Sequence, residues 1–104
     1  MSLLDNTVII FTSDNGPFGD PLGTIHGRPV IGSKGDVAEG GVREPLIVNC
    51  PALVPAGRVR SDLTDFTDIF PTVLELAGVP LPQDQQLDGR SIGAAAVGPG
   101  KTVP

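Results

Sequence analysis

"TVIIFTSDNGPFGD", residues 7–20, joins two kinds of sequence with nothing between them. Residues 7–12 are apolar and β-branched without polar alternation, the pattern of a strand buried on both faces of a covered sheet. At Ser13 the run stops, and Asp14, Asn15 and Gly16 follow. Asp-Asn-Gly is a turn signal, because Asn and Gly tolerate positive φ and an Asp side chain can accept from the backbone two residues on. The same position, just beyond the carboxyl end of a strand, is where open α/β sheets bind ligands. A carboxylate beside an amide oxygen also suits a hard divalent cation. Both readings stand on these residues, and two oxygen ligands are too few for a complete metal site.

Working outward, "PLIVN" at 45–49 reads as a second short strand, stopped by Pro51. Between the two strands lie eight glycines, at 16, 19, 23, 27, 32, 35, 40 and 41, and no helical periodicity. Long loops without structure of their own are usually functional or disordered, and the mixed charge here favours function. "DIFPTVLELAG" at 68–78 is the one clear helix. Asp68 is placed to cap it, Pro71 falls in the first turn and Gly78 suits a left-handed C-terminal position. Ile69, Val73 and Leu76, with Phe70, Leu74 and Ala77 beside them, predict a broad buried face, and Glu75 a wet one. Residues 93–104 read as a frayed or truncated end. The fold class is therefore α/β, with few strands, one clear helix and long loops, a pattern expected of part of a larger fold.

Composition supports that expectation. The 104 residues include 14 Gly and 11 Pro but only four Phe and neither Trp nor Tyr, so a self-sufficient core is hard to assemble. The net charge of -5, with no basic block, argues against a nucleic-acid partner. No apolar run reaches the ~18 residues that a membrane span needs. Cys50 stands alone, which rules out an internal disulfide, and it reads as a small buried hydrophobe. Nothing in the sequence specifies a compartment.

Three further segments carry charged candidates. Lys34 in "GSKGD" is flanked by small residues that leave its ammonium accessible, although a solvated loop lysine would look the same. His26, the only histidine, has the chemistry of a proton donor and equally that of a solvent-facing loop residue. In "EGGVREP", Gly40 and Gly41 predict tight backbone packing, with Glu39 and Arg43 as an ion pair clamping the loop.

The ordered set "TVIIFTSDNG", "GSKGDVAEGGVREPLIV", "PAGRVRSDLTDFTDIFPTVLELAGVPLP" and "LDGRSI" resembles the C-terminal half of the catalytic region of type I sulfatases, in the alkaline-phosphatase-like superfamily. The resemblance runs from about residue 6 to residue 92. It implies a partial sulfatase catalytic domain over 1–104, from an enzyme that hydrolyses sulfate esters of small molecules or glycans. The cofactors it implies are a divalent cation, usually Ca²⁺ with Mg²⁺ as the alternative, and a formylglycine nucleophile. By the same resemblance Asp14 and Asn15 match metal ligands, Lys34 the sulfate contact, and Gly16, Glu39, Gly40, Gly41 and Arg43 the surrounding architecture. His26 has no secure counterpart. The formylglycine motif, Cys/Ser-x-Pro-x-x-Arg, is absent from these residues and is expected upstream, so the isolated chain is expected to be inactive. Around Lys34, "VIGSKGDVAEGG" departs from the commoner family sequence. The alternatives are a phosphate or phosphonate ester hydrolase of the same superfamily, or a non-catalytic binding or assembly module. Self-association of the chain would then cover exposed strand edges.

Overall fold

A computed structural model describes residues 3–98 and, as backbone, 101–102; at 20–22 also only the backbone is described. In chain order the elements are β1 (Ile9–Thr12), β2 (Phe18–Ile25), β3 (Arg28–Ser33), α1 (Glu39–Val42), β4 (Leu46–Asn49), β5 (Arg58–Val59), α2 (Ile69–Leu76), α3 (Gly93–Val97) and β6 (Lys101–Thr102). Short 3-10 turns occupy Leu4–Asn6 and Phe66–Asp68. The strands pair as β1 with β4, β2 with β3 and β5 with β6. The chain divides into two units, one spanning Ile10–Ile47 and the other Met1–Ile9 with Val48–Pro104.

The first unit is built on an antiparallel hairpin, β2–β3, where the sequence predicts a loop. His26 and Gly27 connect the paired residues Ile25 and Arg28, and both have positive φ, 50° and 76°. Two consecutive positive φ values make a type I′ turn, whose twist matches that of the flanking strands. The hairpin is hidden in the sequence because β2 carries Gly19, Pro21 and Gly23, and its register shifts twice, between Gly19 and Pro21 and between Pro21 and Gly23. Those bulges destroy the period-two pattern by which a strand is recognised.

Strand β1 forms where its β-branched run predicts one, but it is not buried on both faces. Its burial alternates, and Phe11 is 59% exposed. Among the described residues it pairs with β4 alone, in a two-stranded sheet.

In the second unit α2 forms as the helical pattern requires, with Pro71 buried in its first turn. Its end is a Schellman motif: Gly78 N–H donates to Glu75 O at 3.0 Å, Val79 N–H to Leu74 O at 2.8 Å, and Gly78 takes φ 69°. Its start differs from the sequence reading. Asp68 makes no side-chain cap to α2; the capping box lies three residues earlier, on the 3-10 turn. There the Asp65 carboxylate accepts from Thr67 N–H at 2.7 Å, while Asp65 N–H donates to the Asp68 carboxylate at 3.2 Å. Asp68 is freed for a longer reach, accepting from Arg90 N–H at 2.8 Å. The predicted apolar face is only partly covered: Ile69, Leu74 and Leu76 are half-buried, Phe70 is 53% exposed, and the fully buried residues of the helix are Pro71 and Thr72. Cys50, 2% exposed, is the one buried hydrophobic residue among those described.

Within the segment read as a frayed or truncated end, residues 93–97 form α3 and 101–102 form β6; the rest of 99–104 lies outside the described residues. Ile92 N–H donates to Thr72 Oγ1 at 2.9 Å, which ties the start of α3 to α2.

The Thr67 hydroxyl and N–H together hold the Asp65 carboxyl below the usual carboxylate range. A depressed native value means the cap contributes fully above the ordinary Asp range, about 4, and is lost as pH falls through the lower native value. The Thr67 amide resonance is accordingly expected to titrate with a midpoint below that range, and Asp65→Asn to remove the transition. A midpoint at the ordinary value would show that the cap does not form.

Candidate functional site

Asp14, Asn15, Gly16 and Lys34 all fall in the Ile10–Ile47 unit, at the open end of the β2–β3 hairpin. Asp14 and Asn15 follow the end of β1 with Ser13 between. Asn15 is fixed locally: its carbonyl accepts from Ser13 Oγ at 2.9 Å, and its Nδ2 donates to Gly16 O at 3.2 Å. That second bond engages the amide nitrogen and leaves Oδ1 as an acceptor for something else. Asp14 is exposed, and no hydrogen bond or ion pair engages its carboxylate among the described residues.

Lys34 reaches the same end through the backbone. Its N–H donates to Pro17 O at 3.2 Å, just past the Asp-Asn-Gly turn. It occupies the corner of a second turn, closed by Asp36 N–H to Ser33 O at 2.9 Å, with Gly35 at φ 90°. Positive φ at the third position is the requirement of a type II turn, which explains glycine after Lys34. The ammonium lies 5.9 Å from the centroid of the exposed Phe18 ring.

Behind this rim, glycines are packed against backbone oxygens. Gly16 N–H donates to Gly41 O at 3.0 Å, and a Cβ built on Gly16 would stand 1.7 Å from Gly40 O. A Cβ on Gly40 would be 1.8 Å from Ile31 O, and one on Gly41 2.3 Å from Asp36 O. The Glu39–Arg43 ion pair is present at 2.7 Å across one turn of α1. Both side chains are at least half exposed, so it contributes at most about 1 kcal/mol, and close backbone packing does most of the fastening.

His26 is set apart. It sits exposed at the hairpin tip, and the six residues from Arg28 to Ser33 separate it from Lys34. At ~3.3 Å per strand residue that is about 20 Å, too far for one site. Sequence reading missed three other features of this unit: the Phe18 ring against Lys34, and the buried Ser33 Oγ and Glu44 Oε1, which have no hydrogen-bond partner among the described residues. The ring contact depends on the hairpin register, which the sequence did not reveal; the orphaned oxygens depend on burial, for which neither segment carried a signal.

The Asp14 and Asn15 oxygens fit a hard cation, which takes about six to eight oxygen ligands. They do not complete its shell, and among the described residues no group of three His, Cys, Asp or Glu is placed to hold a metal.

The sulfatase family profile matches residues 2–79. The chain belongs to the sulfatase family. It is similar to human steryl-sulfatase, 41% identical over 98 residues that cover 88% of this chain and 17% of that protein. It is also similar to the dog N-acetylgalactosamine-6-sulfatase, 38% identical over 100 residues, 94% of this chain and 19% of that one. A solved protein, in complex with its substrate D-glucosamine-2-N,6-O-disulfate, superposes with a TM-score of 0.72 at 38% identity, over 96% of this chain and 18% of the other. This sulfatase-family chain thus spans less than a fifth of the length of each relative. The α/β class read from the sequence agrees with the superposition.

Proposed function

We propose that this chain supplies the cation- and sulfate-binding part of a sulfate-ester hydrolase, with Asp14 and Asn15 as metal ligands and Lys34 as the sulfate contact. The observation that carries this reading is the Lys34 N–H to Pro17 O bond, which joins the lysine's turn to the segment bearing both oxygen ligands in a sulfatase-family chain. Lys34 donates to a sulfate oxygen and offsets negative charge as the ester bond to sulfur breaks. Asp14 and Asn15 hold the cation, Ca²⁺ in this reading, which when bound polarises sulfate oxygens as a Lewis acid. The nucleophile is a formylglycine outside residues 1–104, none of which fit its motif. The names of the relatives cover a sterol and an amino sugar, and the bound substrate of the solved neighbour is a sulfated glucosamine. The sulfate group is what these have in common, so the substrate class is a sulfate ester of a small molecule or glycan.

In the polypeptide that unites this segment with the formylglycine motif, Asp14→Ala is expected to lower both Ca²⁺ occupancy and hydrolysis of a chromogenic aryl sulfate, by about a hundredfold in rate. Lys34→Ala is expected to lower rate and sulfate affinity while Ca²⁺ occupancy holds. Residues 1–104 alone should show no turnover. Unaltered activity in both variants would remove the assignment.

A further inference from the structure

We infer that Phe18 is a positioning residue for Lys34, its ring holding the ammonium where, on the function proposed above, sulfate is bound. Phe18 opens β2 and pairs with Ser33, the residue before Lys34, so the hairpin register sets ring and lysine side by side. The ammonium stands over the ring at 5.9 Å, inside the ~6 Å range in which a ring's quadrupole attracts a cation. Among the described residues no carboxylate pairs with Lys34, and the ring is the contact made by its ammonium there. A lysine meant for an anion gains from this arrangement, because an aromatic face orients the ammonium while leaving its positive charge available. Phe18 is 76% exposed within this chain, so no core packing among the described residues accounts for the ring's place. A Lys34 stem left to rotate would meet sulfate in many rotamers, and ordering it on binding would cost affinity.

The test uses the polypeptide that unites this segment with the formylglycine motif, with ¹³C-dimethylated lysines, which keep their charge. Lys34→Arg, which removes one resonance, assigns the Lys34 signal. The readouts are the ring-current shift of the Lys34 methyls and the affinity for inorganic sulfate. The wild-type Lys34 signal is expected to be displaced upfield. Phe18→Leu should abolish that displacement and weaken sulfate binding about two- to fivefold, and Phe18→Trp should restore both. Loss of the shift in Phe18→Leu with unchanged affinity, beside weakened binding in Lys34→Ala, overturns this inference alone. Sulfate affinity that Lys34→Ala leaves untouched overturns the proposed function, and this inference with it.

Discussion

Gly40→Ala is expected to unfold the Ile10–Ile47 unit. The new methyl would sit 1.8 Å from Ile31 O and 2.9 Å from Ile31 C, far inside any tolerated contact. The obstacle is the backbone of β3, which cannot swing aside as a side-chain tip would; moving it breaks hairpin hydrogen bonds. Overpacking of ordinary cores costs about 1–3 kcal/mol, and an overlap this deep against main chain lies at or above the top of that range. Gly16→Ala meets another main-chain oxygen, Gly40 O, at 1.7 Å and should behave alike. Gly23→Ala is the control, since nothing lies within 4 Å of its added carbon. Amide exchange reads the outcome: protection of Gly16 N–H, bonded to Gly41 O, should vanish in the first two variants and persist in the third. Wild-type protection in Gly40→Ala would show that the glycine contact is not what holds the rim.

A comparable loss is expected from Asp68→Ala in the other unit. Asp68 is 8% exposed and its two carboxylate oxygens satisfy different partners, Arg90 N–H at 2.8 Å and Asp65 N–H at 3.2 Å. Alanine leaves both donors without acceptors, and at about 1–3 kcal/mol for each the cost is about 3 kcal/mol. The bond to Arg90 spans 22 residues, so its loss detaches the segment leading to α3 as well as the 3-10 turn. Asp68→Asn should fall between, keeping one acceptor oxygen while its amide nitrogen opposes a backbone donor. Thr72→Val probes the neighbouring tie, because Thr72 Oγ1 both donates to Asp68 O and accepts from Ile92 N–H. Thermal unfolding with exchange at Arg90 and Ile92 separates these cases. If Asp68→Ala melted like the wild type, the carboxylate would have no share in holding residues 90–92.

What was legible in the sequence was what local chemistry settles alone. β1 showed in its β-branched run, α2 in its apolar spacing, and Gly78 at the turn that ends the helix. The β2–β3 hairpin stayed hidden because Gly and Pro at its bulges imitate a loop, and because His-Gly is an uncommon pair for its turn. The cap moved from Asp68 to Asp65 because a distant donor, Arg90 N–H, claims the Asp68 carboxylate, and no local rule sees a partner 22 residues away. Burial failed most widely. Phe11 and Phe70 have the sequence context of core residues but lie exposed, because apolar pattern states what a residue would bury against, while contact depends on what is there. At the candidate site, Asp14, Asn15 and Lys34 were legible through family likeness. The turn that displays Lys34 and the ring beside it needed the register.

The glycines behind the rim have a bearing on how such a site could diversify. Gly16, Gly40 and Gly41 each face a main-chain oxygen, so no exchange of a neighbouring side chain could make room for a replacement at any of them. At Gly23 an added carbon meets nothing, and Ile31 is largely exposed within this chain. Substitutions are thus channelled by the backbone itself: the side that carries Asp14 and Asn15 is closed to gradual change at its glycines, whereas the hairpin around Gly23 tolerates added bulk.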